Sequence, residues 1–387
     1  MFVSNFLTLY KRQFINKMKR IILFLSVIAL IATSCTEKDA FTIKGKLPSS
    51  EYDGQQVFLQ TLDSTWSRNL VTIDSANVVK GEFVFKGLAK EDPTIHYLVL
   101  DKAPDFLKRP AMLILEPGTI EVSMDTTTTV KGTPVNNAYQ AYMAKGETIS
   151  KEMRALYERT QSDTANVELK EEYEKKSEEA RKTIFDEIYN LVKPNIGNQV
   201  GAYLFMSNSY AFSLEQKNEL FAQIKPEYKA LERFKAFEKN LETLNATAIG
   251  KTFSDIKGKT PEGEDAALSD YVGKGKVVLV DFWASWCGPC IQEMPKVKEA
   301  YAQYKDKGFE IVGISLDDDG EAWKKSIKDL GITWPQISDL KAWDSELAAV
   351  YGVRSIPHTV LIDKDGKIVE KDLRGDKIAE KLSELLK

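Results

Sequence analysis

The sequence predicts a multidomain chain: an N-terminal antiparallel β domain, a central α-helical region and a C-terminal α/β domain. Three observations carry this prediction. Apolar residues alternate with period two over 38–134, recur at helical spacing over 135–245, and form a continuous run at Lys276-Val277-Val278-Leu279-Val280-Asp281-Phe282-Trp283 within 247–387. At roughly 150 residues per domain, 387 residues are enough for two or three domains with real cores. A hydrophobic fraction of 43% with three cysteines excludes a disordered chain, a collagen and a disulfide scaffold. The net charge of −4, with Lys and Arg interspersed among Asp and Glu, excludes the polycationic surface that binds nucleic acid. Two histidines and three cysteines cannot build a His-rich or four-thiolate metal site, so neither metal nor cofactor is expected.

Residues 1–34 read as a secretory signal. Met18-Lys19-Arg20 precedes the apolar stretch 21–33, which is shorter than the roughly 18 apolar residues that a membrane-spanning helix needs. Met18 opens the signal properly, which makes it the expected start and 1–17 an upstream extension. Ile31-Ala32-Thr33-Ser34-Cys35 resembles a bacterial lipoprotein box, in which Cys35 is lipidated and becomes the mature N-terminus, although Ala32 stands where Leu is usual. The alternative is an ordinary cleaved signal with an incidental cysteine. The resemblance implies a membrane-anchored lipoprotein of the cell envelope facing the periplasm. Thr36, in place of the aspartate that favours the inner membrane, leaves the choice of membrane open.

In the β region, Phe83-Val84-Phe85 lies between Gly81 and Gly87, and Ile120-Glu121-Val122-Ser123-Met124 alternates cleanly. Asp53-Gly54 and Pro117-Gly118 are turn dipeptides, and the second is expected to join 111–116 to a strand from Thr119 as a hairpin. His96, in the strand-like Ile95-His96-Tyr97-Leu98, reads as a structural residue. The helical region places Tyr173, Ala180, Ile184, Ile188 and Leu191 on one face of a helix that stops at Lys193-Pro194. Its charged flank is either a solvated face or a dimerising or partner-binding hairpin. Ser213-Leu214-Glu215-Gln216 reads as a capping box, and Pro226 opens a further helix.

Trp286-Cys287-Gly288-Pro289-Cys290 follows the buried run and precedes a helical stretch to about Tyr304. A C-x-x-C at a strand-to-helix junction has a definite use. Amide donors and the helix dipole stabilise a thiolate at Cys287, which attacks, while Cys290 lies one turn inside to resolve the mixed disulfide. A zinc site would need a second ligand pair, and the remaining cysteine is Cys35. A structural disulfide would need neither Trp286 nor the Gly-Pro spacer.

This pentapeptide is the thioredoxin active-site sequence, and 247–387 resembles a complete thioredoxin-fold domain of the TlpA/ResA-like membrane-anchored thioredoxins. Pro295 matches the family's kink in the active-site helix, and Ser355-Ile356-Pro357 matches the loop whose cis-proline, Pro357, faces the sulfurs. Strands at 309–316 and 358–363, the turn 364–367, a closing helix at 376–386 and a helical insertion at 321–351 complete the match. The preceding region resembles the all-β domain of unknown function found before thioredoxin modules in Bacteroidetes lipoproteins. Asp281 stands where thioredoxins keep a buried aspartate and Glu293 where this branch keeps a glutamate, and having both departs from either pattern. Either could take the proton of Cys290. The alternatives are an ion-paired strand residue at 281 and a solvated helix residue at 293. His358, after the cis-proline, either contacts substrate or solvent or shifts the thiolate electrostatically.

The resemblance implies an envelope thiol-disulfide oxidoreductase, with Gly-Pro favouring a reductase, whose site comprises Cys287, Cys290, Glu293, Asp281, Pro357 and Trp286. It further implies protein disulfide substrates, apocytochrome c being one in the family, and a membrane thiol electron donor, because the compartment is oxidising. Two rivals are a binding lipoprotein whose N-terminal regions recognise an envelope partner and a thiol peroxidase, whose Pro and Thr framework is absent here.

Overall fold

The computed structural model describes residues 38–67 and 69–386, so the signal, its start at Met18 and the lipidation at Cys35 lie outside the described residues. The described residues divide into two compact units, one ending at Phe234 and the other beginning at Lys235.

The first unit begins with eight strands: β1 (Ala40–Lys46), β2 (Gln56–Leu62), β3 (Leu70–Asn77), β4 (Glu82–Leu88), β5 (Thr94–Leu100), β6 (Ala111–Leu115), β7 (Gly118–Ser123) and β8 (Thr129–Lys131). They form two four-stranded sheets, ordered β4-β1-β7-β8 and β3-β2-β5-β6. Ile43, Phe83, Phe85 and Val122 from one sheet share a single core with Val57, Leu59, Leu98 and Leu113 from the other. Period-two alternation puts these residues on the facing sides of the two sheets, while Ile95 and Ile114, on the opposite face of the second sheet, are also fully buried.

Two sequence expectations are corrected here. Pro117-Gly118 does not close a hairpin, because β6 pairs with β5 in one sheet and β7 pairs with β1 in the other. Gly118, at φ +119°, turns the chain from one sheet to the other. The preceding Glu116 is spent on the next helix, its Oε1 accepting from the amides of Val135 (2.9 Å) and Asn136 (3.3 Å). The domain is also not purely antiparallel, since β1 and β7 run parallel.

Helices α1 (Pro134–Ser162), α2 (Val167–Val192), α3 (Gln199–Ser207), α4 (Leu214–Gln223), α5 (Pro226–Lys229) and α6 (Glu232–Ala246) follow, the last spanning the boundary between the units. Helices α1 and α2 pair as an antiparallel hairpin, with Lys145 against Glu187 and Tyr157 against Tyr173. The apolar stripe of α2 buries progressively: Tyr173, Ala180 and Ile184 are half-buried, while Ile188 and Leu191 are in the core. The Ser213/Gln216 capping box forms, and Pro226 opens α5.

The second unit continues with β9 (Lys257–Lys259), β10 (Asp265–Ala267), β11 (Val277–Trp283), α7 (Gly288–Tyr304), β12 (Phe309–Ser315), α8 (Gly320–Leu330), β13 (Gln336–Ser338), α9 (Glu346–Val350), β14 (His358–Ile362), β15 (Ile368–Lys371) and α10 (Asp376–Leu385). One mixed sheet results, ordered β10-β9-β13-β12-β11-β14-β15. All seven residues of β11 are buried, as a central strand covered on both faces requires. The segment 321–351, expected as a helical insertion, also supplies β13, which pairs parallel to β12 and is wholly buried. The polar Gln336 is buried there, its Oε1 accepting from the Trp283 indole at 2.9 Å. Among the described residues no helix is long and apolar enough to cross a membrane.

Candidate active site

Strand β11 ends at Trp283, and within four residues the chain enters α7 with Cys287 as its N-cap. Cys290 lies one turn inside that helix, and the two sulfurs are joined in a disulfide with Cα atoms 5.3 Å apart. The Cys290 amide points at the Cys287 sulfur, at 3.2 Å. An unpaired helix donor and the positive end of the dipole are thus already aimed at whichever charge forms on Cys287 after reduction. Trp286 stands beside it, half exposed, and Pro357 follows a cis peptide bond.

Behind Cys290 lies a cavity of about 10 Å³, lined by Asp281, Cys290, Glu293, Pro357, Thr359 and Arg374 among others. That is close to the space one water molecule needs. The register that puts Asp281 here pairs it with Thr359 on β14 and Gly313 on β12, so its carboxyl group leaves the centre of the sheet toward α7. Burial pushes the Asp281 carboxyl up to about 7; the Arg374 guanidinium pulls the other way and the Glu293 carboxylate adds to the rise. Glu293 is half-buried, its Oε2 accepting from the Gly375 amide at 2.9 Å, so it is tied to the start of α10 rather than free in solvent.

His358 is mostly buried: its Nδ1 lies 2.6 Å from Asp372 Oδ1 and its ring packs on Phe282 at 5.8 Å between centroids. Burial raises the Asp372 carboxyl, but the His358 hydrogen bond and the charges of His358, Arg374 and Lys371 outweigh it and hold the group below its ordinary value. His358 therefore faces Asp372 rather than open solvent. His96 is buried in β5, and burial pushes it down to about 4, which keeps it neutral as a structural residue.

Arg374 escapes a reading of the sequence. It sits in an unremarkable Leu373-Arg374-Gly375 turn far along the chain from the cysteines, and only the β14–β15 pairing returns it to them. One Nη2 hydrogen donates to the Pro357 carbonyl, so the same side chain pins the cis-proline loop and places a positive charge near Asp281. Replacing it with a neutral donor, Arg374→Gln, is expected to shift the Asp281 titration upward by about one unit or more. The pH profile of the resolving step should move alkaline by the same amount, and an unmoved profile would show that Arg374 acts through structure alone.

A family model described as the AhpC/TSA family matches residues 249–371, and one described as a domain of unknown function, DUF4369, matches 41–139. The thiol-disulfide oxidoreductase ResA of Bacillus thuringiensis subsp. konkukian is 37% identical over 139 residues, 36% of this chain and 77% of that protein. That of Geobacillus thermodenitrificans is 36% identical over 141 residues, 36% of this chain and 78% of the relative. Among solved structures, the thioredoxin domain of a thiol-disulfide oxidoreductase from Bacteroides vulgatus is 37% identical, covering 36% of this chain and 99% of that one, with a TM-score of 0.34. A thiol-disulfide oxidoreductase from Bacteroides fragilis is 34% identical, covering 35% and 100%, also at a TM-score of 0.34.

Proposed function

This chain belongs to the ResA-like thiol-disulfide oxidoreductases, and from that premise we propose that it is an envelope-anchored reductase of protein disulfides working through Cys287 and Cys290. The observation that carries the reading is the disulfide at the N-cap of α7, backed by a buried carboxyl group in the cavity that Cys290 lines.

In the reduced enzyme the Cys287 thiolate attacks one sulfur of a substrate disulfide. The substrate S–S bond breaks, its other sulfur leaves as a thiolate and takes a proton, and a Cys287–substrate mixed disulfide remains. Cys290 then gives its proton to the Asp281 carboxylate, and its sulfur attacks Cys287. The mixed bond breaks, the second substrate sulfur leaves and is protonated, and the Cys287–Cys290 disulfide forms. Two electrons and two protons have passed to the substrate. A dithiol protein in the membrane is the electron donor that restores the reduced pair, as an oxidising compartment requires. Glu293, anchored by Gly375, keeps a second carboxylate near Asp281, and by like-charge repulsion it favours proton uptake there.

The test is the equilibrium reduction potential of the Cys287/Cys290 pair in the full chain, titrated against glutathione and dithiothreitol. A value near about −270 mV, as in thioredoxin, is expected. A value above about −150 mV would overturn the reducing direction and point to disulfide formation.

A further inference from the structure

The facing side of the β3-β2-β5-β6 sheet changes character at one end. Along β2 and β5 the residues turned to the other sheet are Val57, Leu59 and Thr61, and Leu100, Leu98 and His96, with Thr61 directly across from His96. Asp74 on β3 stands across from Leu59. A core side that passes from aliphatic residues to Thr, His and Asp must find partners for those polar groups.

A cleft of about 570 Å³ opens at this end, lined by Leu59, Thr61, Asp74, Lys86, Leu88 and His96 among others. That volume is in the range of small-molecule sites. The β3–β4 hairpin creates it: the two strands bond to each other at Val79 and Glu82 (2.9 and 3.1 Å) and then part, β3 following β2 and β4 following β1. A bulge on β3 falls at Ile73, where the strands have parted. Ile73 and Leu88 remain exposed there. Trp66 also lines the cleft, at φ +53° and buried against Tyr203, Tyr228 and Phe234. Its loop is tied by Asp63, which accepts from the amides of Thr65 (3.0 Å) and Ser67 (2.9 Å). A bulky residue persists in that backbone region only where its surroundings enforce it, so this part of the cleft is preformed.

His96 says what the cleft takes. The residue is 6% exposed, and its Nδ1 lies 3.3 Å from the Thr94 carbonyl oxygen. A carbonyl can only accept, so Nδ1 carries the ring hydrogen and Nε2 is a bare acceptor. Nε2 has no partner among the described residues and keeps access to the cleft that His96 lines. The Lys90 ammonium acts on the same ring and favours its neutral form. Gln199, also in the lining, spends its Oε1 on the Ile95 amide (2.9 Å) and retains two amide hydrogens to donate. A cation at Nε2 would be repelled by Lys90, and a simple anion has no hydrogen to give it. A hydroxyl donates to the imidazole and accepts from Lys90 or Gln199 at once.

We propose that this cleft binds a neutral polyhydroxylated ligand, a pyranose unit of a glycan, with one hydroxyl donating to His96 Nε2 and the C–H face of the ring against Ile73 and Leu88. The site lies within the first unit, and the inference does not rest on the redox reading.

The experiment titrates the full chain with methyl β-glucopyranoside, methyl β-galactopyranoside and N-acetylglucosamine, and separately with octanoate. Nitrogen NMR of the labelled imidazoles reads the site directly, because the chain has two histidines, His96 and His358. At least one sugar is expected to saturate with a Kd of about 1 to 10 mM and to move the His96 Nε2 signal while His358 stays in place. Its affinity, followed by ligand-observed NMR, should fall at least about tenfold in His96→Phe and return to within about threefold in His96→Gln, whose amide oxygen replaces the lost acceptor. Leu88→Arg, a change at an exposed rim position that spares the core, should weaken binding by a similar factor. Three sugars that leave His96 unmoved up to about 50 mM overturn the proposal. So does binding that survives unchanged in Leu88→Arg, which would put the sugar elsewhere. Octanoate that moves His96 at lower concentration than every sugar overturns it in favour of an acyl anion.

Discussion

The reduced Cys290→Ser variant, mixed with insulin, is expected to accumulate as a covalent adduct through Cys287 and to turn over at least about a thousandfold more slowly than the parent. The two sulfurs occupy different surroundings, and that difference sets the order of events. Cys287 caps α7 and receives the Cys290 amide at 3.2 Å; though only 5% exposed itself, it is flanked by the exposed Trp286 and Gly288, so its thiolate is stabilised at the surface end of the helix. Cys290 lies one turn inside the helix, buried against the cavity that Asp281 also lines, where that carboxylate can take its proton. Removing the resolving sulfur stops the reaction at the mixed disulfide, whereas Cys287→Ser should form no adduct. Mass spectrometry after alkylation under non-reducing conditions distinguishes the two. An adduct trapped by Cys287→Ser and not by Cys290→Ser would reverse the assigned order.

What the chain disclosed in advance follows the range of the interactions involved. The strand β11, the turn after it and the N-cap cysteine are written within fifteen consecutive residues, so periodicity and spacing alone place them. Asp281 and Glu293 were legible for the same reason, lying six residues before Cys287 and three after Cys290, although only the fold puts both at one cavity. Arg374 was not legible. It reaches the site through a strand pairing made far along the chain, and it carries no local signal that marks it among other charged residues. The Pro117-Gly118 turn shows a different limit. A strand that turns back beside its predecessor and one that crosses to the facing sheet bury the same alternate residues, so the pattern around β6 and β7 fits both. The partner decides, and for β7 the partner is β1, about eighty residues earlier.

Asp281→Asn should change stability and catalysis in opposite directions, which a merely structural aspartate would not do. Burial pushes this carboxyl from its ordinary 3.8 up to about 7, so between those values the folded chain holds a proton that the unfolded chain has released. By linkage, stability contributed by the protonated group is fully present below about pH 4, declines as pH rises, and is lost once pH passes the folded value near 7. A shift of about 3 units corresponds to about 4 kcal/mol. The amide carries no such cost, but it leaves the Arg374 guanidinium beside a neutral group, so a net gain of about 2 kcal/mol or more at pH 8 and almost none at pH 4 is expected. Urea unfolding followed by tryptophan fluorescence reads this, because five of the six tryptophans (Trp283, Trp286, Trp323, Trp334 and Trp343) lie in the 235–387 unit. In the same variant Cys290 loses its nearby base, and resolution of the mixed disulfide at pH 7 should slow by about a hundredfold, the lower end of what a positioned base contributes. A variant less stable than the parent at pH 8 would mean that the carboxylate is ionised and well solvated by its partners in the folded state. A variant that resolves at the parent's rate would move the proton acceptor to Glu293, whose carboxylate lines the same cavity.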